Sequence, residues 1–101
     1  MAAFVHQFEW DSAKASSDLN NHGVNFERAA EVFRDALALT IADDQHSVTE
    51  VRWITMGKDL QGRYMVVVHT FEELDEHTAR IRIISARRPT RVEIDQYEEQ
   101  Q

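Results

Sequence analysis

The sequence predicts a single α+β domain in which helices pack against an antiparallel β-sheet in two layers. The chain of 101 residues has the length of one small domain. Apolar residues recur with the period of a helix in the first third of the chain, and they alternate with polar residues over most of the remainder. Short turns join the alternating segments, which favours antiparallel pairing of consecutive strands. Helices segregated from such a sheet form a two-layer α+β domain.

The N-terminal third is predicted to contain a short strand and two helices. The strand covers residues 8–10. Asp11 can accept hydrogen bonds from the first-turn N–H groups of a helix that ends at Gly23, because glycine readily adopts the left-handed conformation after a helix. Asn25 caps a second helix in the same way, and the apolar spacing after it indicates one buried face that ends near Asp35.

The rest of the chain is predicted as strands followed by one helix. Alternation and β-branched residues mark the strands, above all a run of three valines. The segment Gly57–Arg63 is typical of a hairpin connection. Thr90 and Glu93 have the spacing of a capping box, which begins a final helix that reaches about Glu99. The predicted strands cover residues 37–41, 50–56, 64–70 and 79–85.

Charge is distributed unevenly along the chain. The formal net charge of −7 argues against a free-standing nucleic-acid-binding protein. The segment 80–91, however, contains five arginines and no acidic residue, while acid-rich segments flank it on both sides. Such a concentration is typical of phosphate or carboxylate binding. Arginines of a solvated edge strand that pair with the neighbouring acids would give the same composition.

These arginines are predicted to form a basic surface on the open face of the sheet. Side chains alternate between the two faces of a strand, so Arg80 and Arg82 share one face, and the intervening isoleucines should face the helices. Arg52 joins them if its strand is oriented in the same way, and His69 and Glu50 are expected at the edges of this surface. Three more arginines lie before or at the start of the last helix, whose N-terminus favours anions. They are Arg87, Arg88 and Arg91.

Several classes of protein and site are excluded by what the sequence lacks. The chain has no cysteine, which removes disulfides, zinc–thiolate centres and cysteine nucleophiles and suits a reducing cytoplasm. No apolar run approaches the ~20 residues of a membrane-spanning helix, and the first residues do not form a secretory signal. The histidines show no metal-ligand spacing. We therefore expect no metal, no cofactor, no membrane association and a cytoplasmic location.

Four segments together resemble the BrnT toxin family. A Trp-Asp pair closely followed by Lys, then His-Gly-Val-x-Phe, then Arg-Ile-Ile-Ser-Ala-Arg-Arg is a specific combination. The resemblance extends from about Phe8 to Glu99, which indicates one BrnT-like toxin domain over residues 1–101 with its core at about 8–99. The segments are FEWDSAKASSDLNNHGVNF at 8–26, HSVTEVRWITMG at 46–57, GRYMVVVHT at 62–70 and RIRIISARRPTRVEIDQYEE at 80–99.

The resemblance implies a fold, an activity and a partner. The implied fold is similar to that of RelE-type ribonucleases. The implied activity is metal-independent cleavage of RNA that arrests growth, as the toxin of a type II toxin–antitoxin system. The implied partner is a BrnA-like antitoxin whose DNA-binding domain represses the shared operon, so operator DNA is contacted only through the antitoxin.

RNA cleavage of this kind gives candidate roles to the basic surface. It requires a base for the ribose 2′-hydroxyl, cations for the charge that grows on the phosphate, and an acid for the leaving oxygen. Arginine suits the phosphate because its planar fork stays charged. Glu50 or His69 is the candidate base, and His69 or Tyr97 the candidate acid. The candidate phosphate ligands are Arg52, Arg80, Arg82 and Arg87, and the candidate RNA-binding residues are Lys14, Arg88, Arg91, Trp53 and Tyr97.

Other functions stay open at this point. Trp53 is also a candidate for core packing, and Tyr97 for a core tyrosine with a bonded hydroxyl. The last helix is acidic where many family members are basic, which is compatible with a non-catalytic module that binds the antitoxin and acts as a co-repressor. A third alternative is a domain that binds a small anion on the same arginines.

Overall fold

Strands and helices follow one another in nearly the predicted order. The computed structural model describes residues 5–46 and 49–100. Short 3₁₀ segments follow the second helix at Val32–Arg34 and the second strand at Asp44–His46. The strands are β1 (Val5–Trp10), β2 (Leu39–Ala42), β3 (Trp53–Lys58), β4 (Tyr64–His69), β5 (Glu72–Glu73) and β6 (Thr78–Arg87), and the helices are α1 (Ser12–His22), α2 (Phe26–Glu31) and α3 (Arg91–Glu98).

Local hydrogen bonds begin both N-terminal helices, and a glycine ends the first of them, where the sequence predicts. Asp11 accepts from the backbone N–H of Lys14 at 3.0 Å, and Asn25 accepts from that of Arg28 at 3.2 Å. Gly23 ends α1 with φ +66°, a conformation that a side chain would strain. The predicted caps of both helices are therefore confirmed.

The sheet has the order β1-β6-β4-β3-β2, with β5 paired to β6 outside this path. All its pairs are antiparallel except β1 with β6, which is parallel. The expectation of a purely antiparallel sheet is therefore wrong for β1. Short turns impose antiparallel pairing only on strands that follow one another, whereas β1 reaches β6 from the far end of the chain.

The third strand begins later than predicted and includes a glycine for which the sequence predicts a turn. β3 runs to Lys58. A Cβ on Gly57 would lie 2.9 Å from Val32 and 3.0 Å from the carboxylate of Asp35. The glycine therefore permits close approach of the segment after α2 to the strand rather than a change of chain direction.

A bulge in β6 changes which face its last residues occupy. Val68 pairs with Ser85, whereas the next residue, His69, pairs with Ile83, so Ile84 is an extra residue on β6. The bulge reverses the alternation of side chains beyond it. Arg87 pairs with Val66 and thus lies on the same face as Arg80 and Arg82. It does so although an odd number of positions along the chain separates it from each of them.

Helices cover both faces of the sheet. The larger core cluster contains Met65 and Val67 with residues of α2 and β6, whereas Val66, between these two on β4, packs with Tyr97 of α3. Because successive residues of a strand point to opposite faces, α3 lies on the face opposite to α2. The α+β class is confirmed, but the predicted two-layer arrangement is not.

Candidate functional site

Four arginines and one glutamate occupy the face of the sheet opposite to α1 and α2. We call this group the arginine face. One pocket of about 330 Å³ is lined by Arg52 and Arg87, and another of about 330 Å³ by Arg80, Arg82 and Glu50. The structure thus brings together five of the six residues that were predicted to be catalytic. They are Glu50, Arg52, Arg80, Arg82 and Arg87.

Glu50 joins the two pockets through its contacts with two guanidinium groups. One of its carboxylate oxygens accepts a hydrogen bond from Nη2 of Arg82, and Nη2 of Arg52 lies 3.5 Å from the same oxygen. The side chain of Glu50 is about one-third exposed, so the carboxylate remains open to solvent and to a ligand. A carboxylate between two cations is well placed to receive a proton from a group that the same cations bind.

The other two arginines of the face are also held by carboxylates. Arg80 lies 3.2 Å from Glu72 of β5 and 3.8 Å from Glu9 of β1. Arg87 donates to both oxygens of Glu93, at 2.8 and 2.9 Å. The Arg87 guanidinium and the Thr90 N–H hold the pKa of Glu93 at about 2. The predicted pairing of arginines with nearby acids is therefore present in the structure.

His69 lies on the opposite side of the sheet from the arginine face. It pairs with Trp53 and follows the alternation of Val67, so its ring points to the side of α2. Nε2 of His69 is 2.7 Å from the hydroxyl of Thr55, and burial lowers the pKa of the ring. The expectation that His69 lies at the edge of the basic surface is wrong, because the residue ends its strand on the other face. Trp53 also lies on this side, half-buried.

Tyr97 is a core residue of α3. Only 1 % of its surface is exposed, and its hydroxyl donates to Asp35 at 2.7 Å. Burial and this hydrogen bond raise the pKa of Tyr97 to about 12. The candidate acid is therefore buried in the packing of α3 against the sheet, and it lines neither pocket of the arginine face.

Comparison with known families decides what kind of protein carries this face. A family model described as "Ribonuclease toxin, BrnT, of type II toxin-antitoxin system" matches residues 10–93. The chain belongs to the BrnT family. The resemblance drawn from the sequence motifs is thus confirmed, and with it the class of ribonuclease toxins of type II toxin–antitoxin systems. No curated protein matches the chain.

The remaining candidate RNA-binding cations of this BrnT-family chain are dispersed. Lys14 on α1 pairs with Asp18 at 2.8 Å. Arg88 points to the end of α1, where its Nη2 would lie 3.7 Å from a Cβ on Gly23. Arg91 is exposed on α3 and lies 3.2 Å from Asp95. None of these three lines either pocket of the arginine face.

Asp18 is a structural residue that sequence reasoning missed. It is 1 % exposed, and its second carboxylate oxygen accepts from the backbone N–H of Ala86 at 3.0 Å. This bond ties α1 to β6 just after the bulge. The spacing of Lys14 and Asp18, four residues apart on one helix, is the sequence signal that indicates the ion pair, but the bond to Ala86 has no local signal.

Two further features concern the described part of the chain as a whole. Over residues 5–46 and 49–100, no three histidine, aspartate or glutamate side chains gather as a metal-binding group. The helices in those ranges are all too short or too polar to cross a membrane.

Proposed function

We propose that this BrnT-family chain is an endoribonuclease toxin that cleaves RNA on its arginine face without a metal ion. The observation that carries the proposal is the position of Glu50, a partly exposed carboxylate in contact with Arg52 and Arg82. Membership of the BrnT family supplies the class of activity. The geometry supports Glu50 over His69 as the base, because His69 lies on the other side of the sheet.

Phosphate binding is the first step of the proposed mechanism. An RNA phosphate displaces the carboxylates that pair with Arg80 and Arg87 and takes their place on the guanidinium groups. Both of these arginines are more than two-fifths exposed, so exchange of one anion for another requires no change of the fold. Arginine forks match phosphate oxygens in two-point contacts, as they match the carboxylate of Glu93 here.

Proton transfer and bond exchange then follow at the same phosphate. Glu50 takes the proton of the adjacent ribose 2′-hydroxyl, and the 2′-oxygen forms a bond to phosphorus. The bond between phosphorus and the 5′-oxygen breaks, and that oxygen takes a proton from solvent water. Arg82 and Arg52 stabilise the negative charge that accumulates on the phosphate oxygens. The products are a 2′,3′-cyclic phosphate and a 5′-hydroxyl end, and no cofactor takes part.

The proposed partner is a BrnA-like antitoxin in the same cytoplasm. The net charge of −7 makes the chain a poor ligand for DNA by itself. Repression of the operon therefore falls to the DNA-binding domain of the antitoxin, and the toxin contacts operator DNA only through it. Anionic groups of the antitoxin that pair with the arginines of the toxin would neutralise it, because they would occupy the same positions as the RNA phosphates.

Expression of the chain without its antitoxin in bacteria tests this proposal. Growth should stop and RNA should be degraded, and the purified protein should cleave RNA in the presence of a metal chelator. Arg82→Ala and Glu50→Gln should each lower the rate of cleavage by about 100-fold or more, as removal of a transition-state contact or a general base does. Arg63→Ala, which removes a cation from the β3–β4 turn, is the matched control and should leave the rate unchanged. Normal growth with intact RNA at high expression would exclude the proposal.

A non-catalytic module is the second candidate function. It is favoured by the pairing of Arg80, Arg82 and Arg87 with carboxylates of the same chain. If these pairs persist, RNA does not reach the arginines and the chain acts by binding the antitoxin as a co-repressor. A stable antitoxin complex together with the absence of RNA cleavage by the free chain would establish this alternative.

A further inference from the structure

A separate cavity, of about 320 Å³, lies on the side of the sheet that faces α2. Its volume is at the lower end of the range for small-molecule sites, about 300–1,000 Å³. Aromatic residues form most of its wall, and two threonines complete one part of it. The lining residues include Phe33, Trp53, Phe71, His69, Thr40 and Thr55.

The aromatic wall is fixed by ring-to-ring packing. The rings of Phe33 and His69 meet edge to face, with centroids 4.7 Å apart and an angle of 88° between their planes. His6 packs against Phe33 in the same manner at 6.1 Å. Perpendicular neighbours restrict one another's rotation, so the wall keeps its shape for a planar ligand. Phe71 is 39 % exposed and lies where the cavity meets solvent.

The hydroxyl groups of the cavity form a directed chain of hydrogen bonds. Nδ1 of His69 lies 2.9 Å from the carbonyl oxygen of Thr70, so Nδ1 donates. In the neutral ring Nε2 then accepts, and Thr55 donates its hydroxyl proton to it at 2.7 Å. Thr40, 2.8 Å from Thr55, donates in turn to the Thr55 oxygen. Burial lowers the pKa of His69, which favours this neutral form.

Thr40 therefore presents acceptor lone pairs to a ligand, because its one proton is committed to Thr55. Thr40 is exposed on the edge strand β2 and is one of the residues that line the cavity. A ligand that fits is a flat aromatic ring that carries an N–H donor at its edge. Nucleobases with an amino group have this combination of a stacking face and an edge donor.

We propose that this aromatic cavity is a nucleobase subsite, which takes an amino-bearing base of the RNA bound on the arginine face and places the amino group against Thr40. Phe71 connects the two sites, since it lines both the cavity and the pocket of Arg80, Arg82 and Glu50. A nucleotide whose base enters the cavity over Phe71 thus has its phosphate on the side of the arginines. This inference rests on the proposed function.

Three ligands that share one phosphate separate the contribution of the base from that of its amino group. Calorimetric titration at low salt is carried out with adenosine 5′-monophosphate, with purine riboside 5′-monophosphate, which lacks the amino group, and with ribose 5-phosphate, which lacks the base. The adenine compound should bind about 5- to 100-fold more tightly than ribose 5-phosphate, as expected for one stacked base. It should bind about 3- to 10-fold more tightly than the amino-free compound, as expected for one hydrogen bond.

Two pairs of variants locate the binding. Thr40→Val should abolish the difference between the two purine nucleotides, whereas Thr40→Ser, which keeps the hydroxyl, should retain it. Phe71→Ala should weaken binding of the adenine compound and leave ribose 5-phosphate unchanged. Leu74→Ala removes a similarly exposed apolar side chain, 38 % against 39 %, from outside the cavity lining and should have no effect.

The outcomes separate this inference from the proposed function. Equal binding of adenosine 5′-monophosphate and ribose 5-phosphate would overturn the subsite, as would discrimination that survives both Thr40→Val and Phe71→Ala. RNA cleavage is measured independently on the same proteins. Loss of cleavage with intact base discrimination would contradict the ribonuclease mechanism alone, and cleavage without base discrimination would contradict the subsite alone.

Discussion

Glu93 holds the guanidinium of Arg87 through two hydrogen bonds of 2.8 and 2.9 Å, from a position in the first turn of α3. The same carboxylate accepts from the backbone N–H of Thr90 at 2.8 Å, so it caps the helix and neutralises the arginine at once. The start of the acidic last helix thereby reaches directly onto the arginine face. In the proposed mechanism, this carboxylate therefore competes with an RNA phosphate for Arg87.

Glu93→Gln should increase the affinity of the chain for RNA by roughly 5-fold, because glutamine keeps an oxygen for the Thr90 N–H but removes the charge that opposes phosphate. The slope of log K against log salt should steepen by about one, as expected for one additional phosphate contact. Fluorescence anisotropy with a labelled RNA at several salt concentrations measures both. Glu99→Gln makes the same change of charge further along the chain, and an equal gain in that variant would refute the specific competition.

Asp18→Ala should lower the free energy of unfolding by about 2–3 kcal/mol, because it leaves the buried N–H of Ala86 without its acceptor and removes the partner of Lys14. Urea denaturation followed by circular dichroism measures this loss. Ser16→Ala, an exposed change on the same helix, should alter stability by less than about 0.5 kcal/mol. A loss in Asp18→Ala no larger than that of the control would contradict the role assigned to Asp18.

Stability should decrease as the pH falls below about 6.5, in part because of His69. Burial lowers the pKa of His69 in the folded chain, so the unfolded chain takes up protons first as the pH falls. The contribution of His69 to stability is present in full above the pKa that His69 has in the unfolded chain. It is lost as the pH falls through the pKa that His69 has in the folded chain. The free energy of unfolding measured by urea denaturation should therefore be lower at pH 5 than at pH 7.5, and this difference should be smaller in His69→Gln.

His6 faces His69 across Phe33, and burial also lowers its pKa, so some pH dependence should remain in the His69 variant. The exposed His77 provides the control: His77→Gln should keep the full difference between the two pH values. A wild-type pH dependence that His69→Gln leaves unchanged would contradict this prediction.

Protonation of His69 also reverses the hydrogen bond with Thr55, so the discrimination that Thr40 makes between the two purine nucleotides should weaken at acid pH.

Tyr97→Phe should destabilise the chain by about 1 kcal/mol, because it removes the hydrogen bond that the buried hydroxyl donates to Asp35. The carboxylate of Asp35 keeps its bonds to the backbone N–H groups of Leu37 and Lys58, which limits the loss. Tyr64→Phe removes an exposed bond to Glu98 and should cost only a few tenths of a kcal/mol. Thermal denaturation of both variants tests whether Tyr97→Phe loses more stability than Tyr64→Phe, and equal losses of stability would contradict this prediction.

The sequence by itself determined the features whose physical causes lie within a few residues of one another. Asp11 and Asn25 cap their helices because their side chains reach N–H groups three residues later, and Gly23 ends α1 because it has no Cβ. Alternation along one strand was sufficient to place Arg80 and Arg82 on a common face. The family and its class of activity also followed from residues in sequence order.

Tertiary structure alone decided the composition of the candidate site. Whether Arg87 joins the arginine face depends on the bulge at Ile84, which exists only in the pairing of β6 with β4. The same pairing, with that of β3, places His69 on the opposite side. Register between strands distant in the chain is set by the combined packing of both faces rather than by any local hydrogen bond. For that reason the sequence identified the arginines, and the fold determined which of them lie on one face.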